Sequence, residues 1–333
     1  MEHKLALITG ATGFVGRHLC PELTRTGYRI RAVYIEPNPP EGWPDGIEWV
    51  KVDPIGPRTN WGQGLQGGVT HVVHLAAIAH RIAPKDQVAD SVYDEVNHLG
   101  TAQLARAVAQ TPSVKRFFFM SSIGAVTSCA DGSVNEQTPC RPDSAYGRSK
   151  LAAEKAIQQI LANTPVDWCI FRPPLLYGPG NPGNMERLLK LLKLHIPLPL
   201  SSVRNHRTFL YAGNLVDAIR VALEHPASGR KVFCVGDGQE LSTPALMRGL
   251  GKASGEAVRL FPFPIAGLSL FGKAGDLVKR ATGRSVGFDS QAIEKLCGSL
   301  SVDSSLFRST CGWHPPFSVE QGLHATVGRA SKT

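Results

Sequence analysis

The 333-residue sequence has no hydrophobic run long enough to cross a bilayer. Its longest apolar stretch, residues 261–271, contains two prolines and is shorter than the roughly 20 residues that a spanning helix needs. We therefore expect no stable membrane insertion, and contact with a membrane surface is the alternative that this stretch leaves open. The first apolar run, residues 5–8, is short and leads directly into a glycine-rich loop, which predicts that there is no signal peptide.

The seven cysteines contain no C-x-x-C pair and lie mostly in segments that we predict to be strands or helices. Zinc sites and disulfide frameworks show closer or more regular spacings. We expect reduced thiols, a cytoplasmic location and no metal site. His71 and His74 are three residues apart in a predicted strand, where their side chains point to opposite faces, so we interpret both as packing residues.

Basic residues are in excess but form no run of five or more. The sequence has 36 Lys and Arg against 27 Asp and Glu, a formal net charge of +9. A scattered excess of this kind favours small phosphorylated ligands, whereas nucleic-acid binding requires a clustered basic surface. We therefore predict an anionic small-molecule partner and no nucleic acid.

Three glycines at spacing three and three follow the first predicted strand, residues 5–8. Gly10 permits a tight turn, Gly13 leaves backbone N–H groups free to approach a pyrophosphate at a helix N-terminus, and Gly16 lets the helix over 14–26 pack closely on the strand. A strand before and a helix after the glycines predict dinucleotide binding; an ordinary glycine-rich turn is the alternative. The predicted cofactor contacts of this segment are Gly10, Thr12, Gly13, Phe14 and Val15.

Apolar strands alternate with helical segments as far as residue 180. This rhythm predicts an α/β fold, a doubly wound and mostly parallel Rossmann sheet, with a smaller, mainly helical C-terminal substrate domain. We place the dinucleotide-binding domain at 1–175 plus about 213–237. The substrate domain would comprise 176–212 and 238–333.

The adenosine end of the cofactor should meet the ends of the second and third predicted strands. An acidic residue there can accept from the ribose hydroxyls of NAD, whereas a basic residue can hold the extra phosphate of NADP. Glu36 favours NAD, although Arg31 within the strand leaves NADP open. Asp53, after the third strand, is either an acceptor for the adenine amino group or a turn residue.

Small side chains follow the fourth predicted strand, residues 69–75. Leu75, Ala76 and Ala77 stand where the carboxyl end of a parallel strand meets the ligand crevice. Small residues at that point permit close approach of a flat ligand, so we expect these three to line the cofactor site.

Tyr146 and Lys150 are four residues apart and share one face of a predicted helix. An isolated phenol has a pKa near 10. A neighbouring ammonium and the positive nicotinamide would both lower it, which makes Tyr146 a usable acid and base. Ser122, at the end of another strand, would hold the substrate oxygen in the same crevice. A solvated helix face is the alternative for an isolated Tyr-x-x-x-Lys pair.

With these motifs in this order, residues 5–235 resemble the extended short-chain dehydrogenase/reductases, in particular the NAD-dependent sugar-nucleotide epimerase/dehydratase family that includes UDP-glucose 4-epimerase. The matching pieces are Thr9-Gly10-x-x-Gly13-x-x-Gly16, His74-Leu75-Ala76-Ala77, Asn97, Ser121-Ser122, Tyr146-x-x-x-Lys150, Arg172-Pro173-Pro174, Tyr177-Gly178-Pro179, and Arg207 before Asn214-Leu215-Val216-Asp217-Ala218. The Gly312-Trp313 segment also resembles the family.

The resemblance implies a role for further residues. Asn97 would support the site through backbone contacts, Pro173 would line the nicotinamide and Arg207 would contact the diphosphate of the substrate, with a surface ion pair as the alternative for Arg207. Lys150 would also hold the nicotinamide ribose. The acidic residue that related 4-epimerases place after the second strand falls at Tyr34 here, so the choice between NAD and NADP stays open.

Two reactions fit these residues. A 4-epimerase would oxidise the sugar 4-hydroxyl, turn the 4-keto sugar over and reduce it on the other face, most simply between UDP-glucose and UDP-galactose. A reductase would reduce a 4-keto sugar nucleotide once with NAD(P)H. A cofactor-sensing protein without catalysis is a third possibility, which intact Tyr146, Lys150 and Ser122 argue against. The resemblance also implies a homodimer through the helices near 90–109 and 145–162; Ser121 stays an alternative to Ser122, and the sugar stays open.

Overall fold

A computed structural model describes residues 4–43, 45–79, 89–181, 184–282 and 290–328. The strands are β1 (Leu5–Thr9), β2 (Arg29–Tyr34), β3 (Ile47–Lys51), β4 (His71–His74), β5 (Arg116–Met120), β6 (Ser133–Val134), β7 (Asp167–Arg172), β8 (Leu175–Tyr177), β9 (Arg207–Tyr211), β10 (Lys231–Cys234), β11 (Glu240–Leu241) and β12 (Ser301–Val302). The α-helices are α1 (Phe14–Arg25), α2 (Gly62–Leu65), α3 (Asp90–Tyr93), α4 (Gly100–Ala109), α5 (Ala145–Ile160), α6 (Asn184–Lys193), α7 (Ala212–Glu224), α8 (Thr243–Ser254), α9 (Ile265–Thr282), α10 (Ser290–Cys297), α11 (Ser305–Cys311) and α12 (Val319–Gly328).

Seven strands form the main sheet in the order β3, β2, β1, β4, β5, β7, β10, and every neighbouring pair is parallel. All seven carboxyl ends therefore lie along one edge, which is where ligands bind in such sheets. The order reverses direction between β1 and β4, and this point of reversal lies beside the glycine loop. The predicted α/β, mostly parallel Rossmann fold is confirmed.

Both faces of the main sheet are buried. In β5, Phe118 packs on one face with α1 and α7, whereas Phe117 and Phe119 pack on the other with α4 and α5. This division follows from the alternation of side chains along a strand. Near-continuous apolar strands such as β5 are therefore the expected sequence signal of a sheet covered on two sides.

A third apolar cluster lies outside the main sheet. Its buried residues all come from 176–212 and 238–333, the ranges predicted for the substrate domain, and a small sheet in the order β11, β9, β8 adjoins it. Phe307 and Trp313 depart from that division, since they pack in the cluster on the main sheet. Phe307 lies 4.9 Å from Phe171 between ring centroids.

The predicted long helix over 88–109 corresponds to a continuous helical stretch over 90–109 within the described residues. A π-helical segment, Asp94–Leu99, joins α3 to α4. It carries Asn97, and such wider turns are frequent at functional sites.

None of the helices in the described ranges is both long and apolar enough to span a membrane.

Candidate active site

The glycine loop begins where β1 ends. Gly10 has a positive φ of 70°, and a Cβ at this position would lie 2.7 Å from the backbone nitrogen of Ala76. Only glycine accommodates both the conformation and the approach of the segment after β4. Gly10 therefore brings the loop against Leu75 and Ala76, two of the three residues that the sequence placed at the same site.

Helix α1 begins after Gly13, which caps it without a side chain. A Cβ on Gly16 would lie 2.3 Å from the carbonyl oxygen of Ala11, so this glycine lets the helix turn back over its own loop. The first N–H groups of a helix have no partner within it, and here no side chain blocks them. The loop and the half-buried Phe14 and Val15 thus fit a dinucleotide pyrophosphate.

A buried chain of hydrogen bonds fixes the ring of His74. Burial, with the charge of Lys150 adding to it, lowers the pKa of His74 to about 3, so the ring is neutral. Thr101 donates its hydroxyl hydrogen to the carbonyl of Asn97, so it accepts from Nε2 of His74 at 2.9 Å. Nδ1 is then the acceptor for the hydroxyl of Thr9 at 2.6 Å.

These hydrogen bonds connect the strand before the glycine loop to the helical segment that carries Asn97. Thr9 also accepts from the amide of Ala76 at 3.2 Å. The sequence interpretation of His74 as a packing residue therefore missed its polar contacts. The signal that could have found them is a histidine at the carboxyl end of a strand that faces buried threonines.

Asn97 holds the backbone of Ile78, just beyond the Leu75-Ala76-Ala77 segment. Its Oδ1 accepts from the Ile78 amide at 2.8 Å, and its Nδ2 donates to the Ile78 carbonyl at 3.0 Å. Nδ2 also donates to Ser149 Oγ at 3.1 Å, and Ser149 lies on α5 between Tyr146 and Lys150. Asn97 thus connects the backbone after β4 to α5, which carries Tyr146 and Lys150, through the hydroxyl of Ser149.

The two serines after β5 face different partners. Ser121 is buried and donates its hydroxyl to Glu154, whose carboxylate also accepts from Arg172 at 2.6 Å. Ser122 instead accepts from the amide of Gly124 at 3.1 Å and hydrogen-bonds to Tyr146. This arrangement favours Ser122 as the hydroxyl that meets the substrate.

Two glycines let Tyr146 approach Ser122. A Cβ on Gly147 would lie 2.2 Å from the carbonyl oxygen of Gly124, so the first turn of α5 packs directly on the turn after β5. Ser144 caps α5 by accepting from the Gly147 amide at 3.1 Å. Residue spacing alone did not identify these two glycines, because the contact joins segments 23 residues apart.

Burial raises the pKa of Tyr146 to about 12; the hydrogen bond from Ser122 opposes the shift and the nearby Tyr93 adds to it. The two tyrosine rings are edge to face with centroids 6.5 Å apart. We expected Lys150 to lower this pKa. In the protein without cofactor burial raises it instead, and Tyr146 is a protonated phenol at neutral pH.

Lys150 is 2% exposed. Its Nζ donates to the carbonyl of Met120 at 2.7 Å and lies 4.6 Å from the centroid of the Phe119 ring. Burial lowers the pKa of Lys150 to about 7, against the opposing effect of the Glu154 carboxylate. A buried lysine of this kind gains or loses its charge near neutral pH.

The predicted contacts with the adenosine end lie beyond neighbouring strands. Glu36 is exposed two residues after β2, where its carboxylate accepts from the Ile35 amide at 3.1 Å, and Asp53 is exposed after β3. Arg31 is turned away from this edge and is buried. It donates to the carbonyl of Gly64 at 3.0 Å and pairs with Glu48 at 2.9 Å, so it does not present its guanidinium to a cofactor phosphate.

Pro173 connects the end of β7 to the serine segment. Its carbonyl accepts from the amide of Ile123 at 2.9 Å, which places it beside Ser122. Beyond it, a Cβ on Gly178 would lie 3.4 Å from Cζ of Phe14. The crevice is therefore closed on this side by the Tyr177-Gly178-Pro179 segment against α1.

Arg207 begins β9 and is half-buried. Its Nη1 donates to the carbonyl of Gly298 at 3.0 Å, and burial lowers the pKa of its guanidinium. The predicted contact with a substrate diphosphate requires this planar fork to face the crevice. That role stays a prediction.

Asp237 is a structural anchor that the sequence did not reveal. It accepts from the hydroxyl of Tyr177 at 2.9 Å, from the amide of Tyr211 at 3.0 Å and from Asn214 at 2.8 Å, and burial raises its pKa. Asn214 in turn holds the backbone of Phe317. These contacts join β8, β9, α7 and the C-terminal segment, and only their convergence in space identifies them.

With the site in place, comparison with known proteins identifies the chain. The model of the family described as "NAD dependent epimerase/dehydratase family" matches residues 6–236. UDP-glucose 4-epimerase of Vibrio cholerae is 34% identical over 97% of this chain and 94% of its own. N-acetyl-alpha-D-glucosaminyl-diphospho-ditrans,octacis-undecaprenol 4-epimerase of Escherichia coli O157:H7 is 27% identical over 96% and 93%.

Among solved structures, UDP-glucuronic acid 4-epimerase from Bacillus cereus in complex with NAD superposes with a TM-score of 0.74 at 21% identity, over 98% of this chain and 99% of the other. At that identity the similarity supports the fold, which agrees with the seven-stranded parallel sheet described above. The family match and the relative from Vibrio cholerae confirm the predicted family, and with it an NAD-dependent enzyme. The chain belongs to the NAD dependent epimerase/dehydratase family, within the extended short-chain dehydrogenase/reductases.

Proposed function

We propose that this enzyme is a UDP-sugar 4-epimerase that interconverts UDP-glucose and UDP-galactose. The observation that carries the proposal is the proximity of Tyr146 and Ser122 at the carboxyl ends of the sheet, where a Cβ on Gly124 would lie 3.3 Å from Oγ of Ser122 and 4.0 Å from Cδ1 of Tyr146. Oxidation of a sugar hydroxyl requires an acid–base group and a neutral hydroxyl beside each other, and the proximity of these two side chains supports those roles. The relative from Vibrio cholerae, a UDP-glucose 4-epimerase, supports the choice of substrate.

Tyr146 takes the proton of the sugar 4-hydroxyl through its phenolic oxygen, and Ser122 holds the same substrate oxygen. After the 4-keto sugar has turned over, Tyr146 returns the proton to the new 4-hydroxyl. Burial keeps the phenol protonated in the protein without cofactor, so Tyr146 first releases its own proton to solvent and then takes the sugar proton as a phenolate, which a positive neighbour stabilises. Protonated Lys150, one turn along α5, supplies one such charge.

NAD, when bound, supplies the hydride acceptor and donor of the reaction. The loop from Gly10 to Gly13 and the start of α1 would hold its pyrophosphate. Glu36 and Asp53 would meet its adenosine end, Leu75, Ala76 and Ala77 would line its flat surface, and Lys150 and Pro173 would face its nicotinamide ribose and ring. Asn97 acts on this site through Ile78.

Arg207 would bind the diphosphate of the nucleotide sugar. A guanidinium presents two parallel donors that match phosphate oxygens. The predicted substrate domain, 176–212 and 238–333, contains this residue. We further propose a homodimer formed through the helices over 90–109 and 145–160, and a cytoplasmic location.

The test is to purify the protein, identify its bound nucleotide and supply UDP-glucose without added cofactor. Formation of UDP-galactose supports the epimerase, because a retained cofactor is regenerated in each cycle. Stoichiometric consumption of NAD(P)H with a 4-keto sugar nucleotide, and no interconversion, would show a reductase instead. N-acetylated and uronic acid UDP-sugars, offered in parallel, establish which sugar is preferred.

A further inference from the structure

Exposed apolar side chains are concentrated in one region of the described chain. Twelve large hydrophobic residues are exposed among the described ones, and eight belong to two stretches, 194–196 and 261–278. We call the following eight residues the apolar face: Leu194, Ile196, Phe261, Ile265, Leu270, Phe271, Leu277 and Val278. Single exposed hydrophobic residues are normal, whereas a continuous exposed apolar surface marks a place of interaction.

The two stretches lie side by side. The amide of Leu198 donates to the carbonyl of Arg259 at 2.9 Å, and the amide of Phe261 donates to the carbonyl of Leu198 at 3.0 Å. Leu194 and Ile196 immediately precede this connection, and α9 follows it. The backbone pairing therefore brings the two stretches next to each other at residues 198 and 259–261.

Helix α9 has an inner side that is already packed. Leu268 and Gly272 are buried, and a Cβ on Gly272 would lie 2.9 Å from Cα of Ser290 at the start of α10. The single acidic residue of α9, Asp276, accepts from the amide of Ser290 at 3.3 Å. The inner side thus packs on α10 through small residues, and the Asp276 carboxylate of α9 hydrogen-bonds to the start of α10.

The outer side of α9 is apolar as well. At about 100° per residue, Leu270 and Leu277 lie on the opposite side from Leu268, and they are 69% and 68% exposed. Phe271, 61% exposed, lies 5.9 Å from Phe263 between ring centroids. A helix that is apolar on both sides is normally covered on both, so the outer side of α9 requires an apolar environment.

Three basic side chains border the apolar face. Lys193, Arg259 and Lys273 are exposed, and none of them forms an ion pair with another described residue. The nearby carboxylate of Glu256 pairs with His195 at 2.6 Å. The formal net charge of +9 has the same sign, so the surface complements a negatively charged partner with an apolar interior.

We propose that the apolar face docks this enzyme on an anionic lipid bilayer. Helix α9 lies in the plane of the interface, with Leu270, Phe271 and Leu277 entering the boundary between headgroups and acyl chains, as interfacial helices do. Lys193, Arg259 and Lys273 meet the lipid phosphates around it. The helices of the proposed dimer, over 90–109 and 145–160, come from other parts of the chain, so docking and dimerisation can coexist.

The test is cosedimentation of the full-length protein with vesicles. Vesicles of phosphatidylglycerol and phosphatidylcholine in a one-to-two ratio should sediment the protein at low salt, and pure phosphatidylcholine vesicles or high salt should sediment much less. The double variant Leu270→Ser/Leu277→Ser should lower the partition coefficient at least about tenfold, because two large apolar side chains no longer enter the bilayer. Leu306→Ser, an exposed leucine on α11, is the matched control and should bind as the wild type does.

A charge variant keeps the test decisive if the leucine variant is poorly folded. Lys193→Glu/Lys273→Glu changes only exposed side chains and should weaken binding to anionic vesicles severalfold without changing the circular dichroism spectrum.

The proposal is overturned if the wild type binds neither vesicle, or binds both equally. It is also overturned if Leu270→Ser/Leu277→Ser converts a dimer to a monomer in light scattering, since the face would then bind a second copy. Epimerase activity on soluble UDP-sugars should be unchanged in all these variants, so failure here is separable from failure of the proposed function.

Discussion

The side chain of Asn97 makes two hydrogen bonds to the backbone of Ile78. The Ile78 amide donates to Oδ1 of Asn97 at 2.8 Å, and the Ile78 carbonyl accepts from Nδ2 at 3.0 Å. Ile78 follows the Leu75-Ala76-Ala77 segment, beyond the end of β4. Here the side chain of Asn97 provides the hydrogen bonds that a neighbouring strand would give to the backbone. A buried backbone without partners costs about 1–3 kcal/mol for each group. The position of the backbone after β4 therefore depends on the side-chain amide of Asn97.

Replacing Asn97 with Ala should lower the free energy of unfolding by about 2–4 kcal/mol, since two buried backbone groups lose their partners. Cofactor affinity should fall as well, because Ile78 positions the lining after β4. Urea denaturation and a titration with NAD measure the two effects. Asn163→Ala, at an exposed position, should change neither, and equal effects of the two substitutions would contradict this role of Asn97.

Ser122 and Ser121 should separate activity from stability. Ser122→Ala should reduce kcat by about 10²-fold or more, because Tyr146 and the substrate oxygen lose a hydrogen-bond partner, with little loss of stability. Ser121→Ala should lower the free energy of unfolding by about 1–3 kcal/mol, because Glu154 loses a buried donor, while kcat changes only a few-fold. The reverse pattern in steady-state kinetics and denaturation would show that Ser121 is the catalytic hydroxyl.

Glu154 and Arg172 form a buried ion pair at 2.6 Å beneath the site. Glu154→Ala should destabilise the protein by about 3–5 kcal/mol, since it leaves the Arg172 charge buried without a partner. The double variant Glu154→Leu/Arg172→Met removes both charges and should recover a large part of that loss. Thermal or urea denaturation decides, and a double variant at least as unstable as Glu154→Ala would contradict the interpretation.

The pKa of Lys150 makes the stability of the protein without cofactor dependent on pH. Burial lowers this pKa to about 7 in the folded state from its ordinary value of 10.5, so the unfolded chain binds more protons between these two values. Stability should therefore rise with pH across this window, by up to about 1.4 kcal/mol per pH unit from this group. Below pH 7 lysine is charged in both states and contributes no pH dependence.

The variant Lys150→Met has no ionisable side chain at position 150, so it lacks this contribution to the pH dependence. The difference in free energy of unfolding between wild type and variant, measured by denaturation at several pH values from 7 to 10, should change steadily in favour of the wild type. A difference that is constant with pH would contradict a lowered pKa of Lys150.

Local patterns predicted the parts of the site that lie close together in sequence. The glycine loop, with Gly10 and Gly13, and the helical spacing of Tyr146 and Lys150 both follow from backbone geometry over a few residues. The alternation of strands and helices predicted the sheet for the same reason, because each unit is defined by its own periodicity.

Contacts between distant segments were beyond that reasoning. Three sets of hydrogen bonds join residues that are more than 20 positions apart. They are the bond between Thr9 and His74, the bond between Ser121 and Glu154, and the bonds that Asp237 accepts. The pKa of Tyr146 also depends on burial, which sequence spacing does not reveal: we expected Lys150 and the nicotinamide to lower it, and in the protein without cofactor burial raises it.

We propose Tyr146 as the acid and base of a 4-epimerase. The most direct measurement is the rate of UDP-galactose formation from UDP-glucose, without added cofactor, by the wild type and by Tyr146→Phe at equal content of bound nucleotide. Removing one hydroxyl should lower kcat by about 10²–10⁴-fold, and the fold and bound nucleotide should be retained. A Tyr146→Phe variant that epimerises at the wild-type rate would contradict the account.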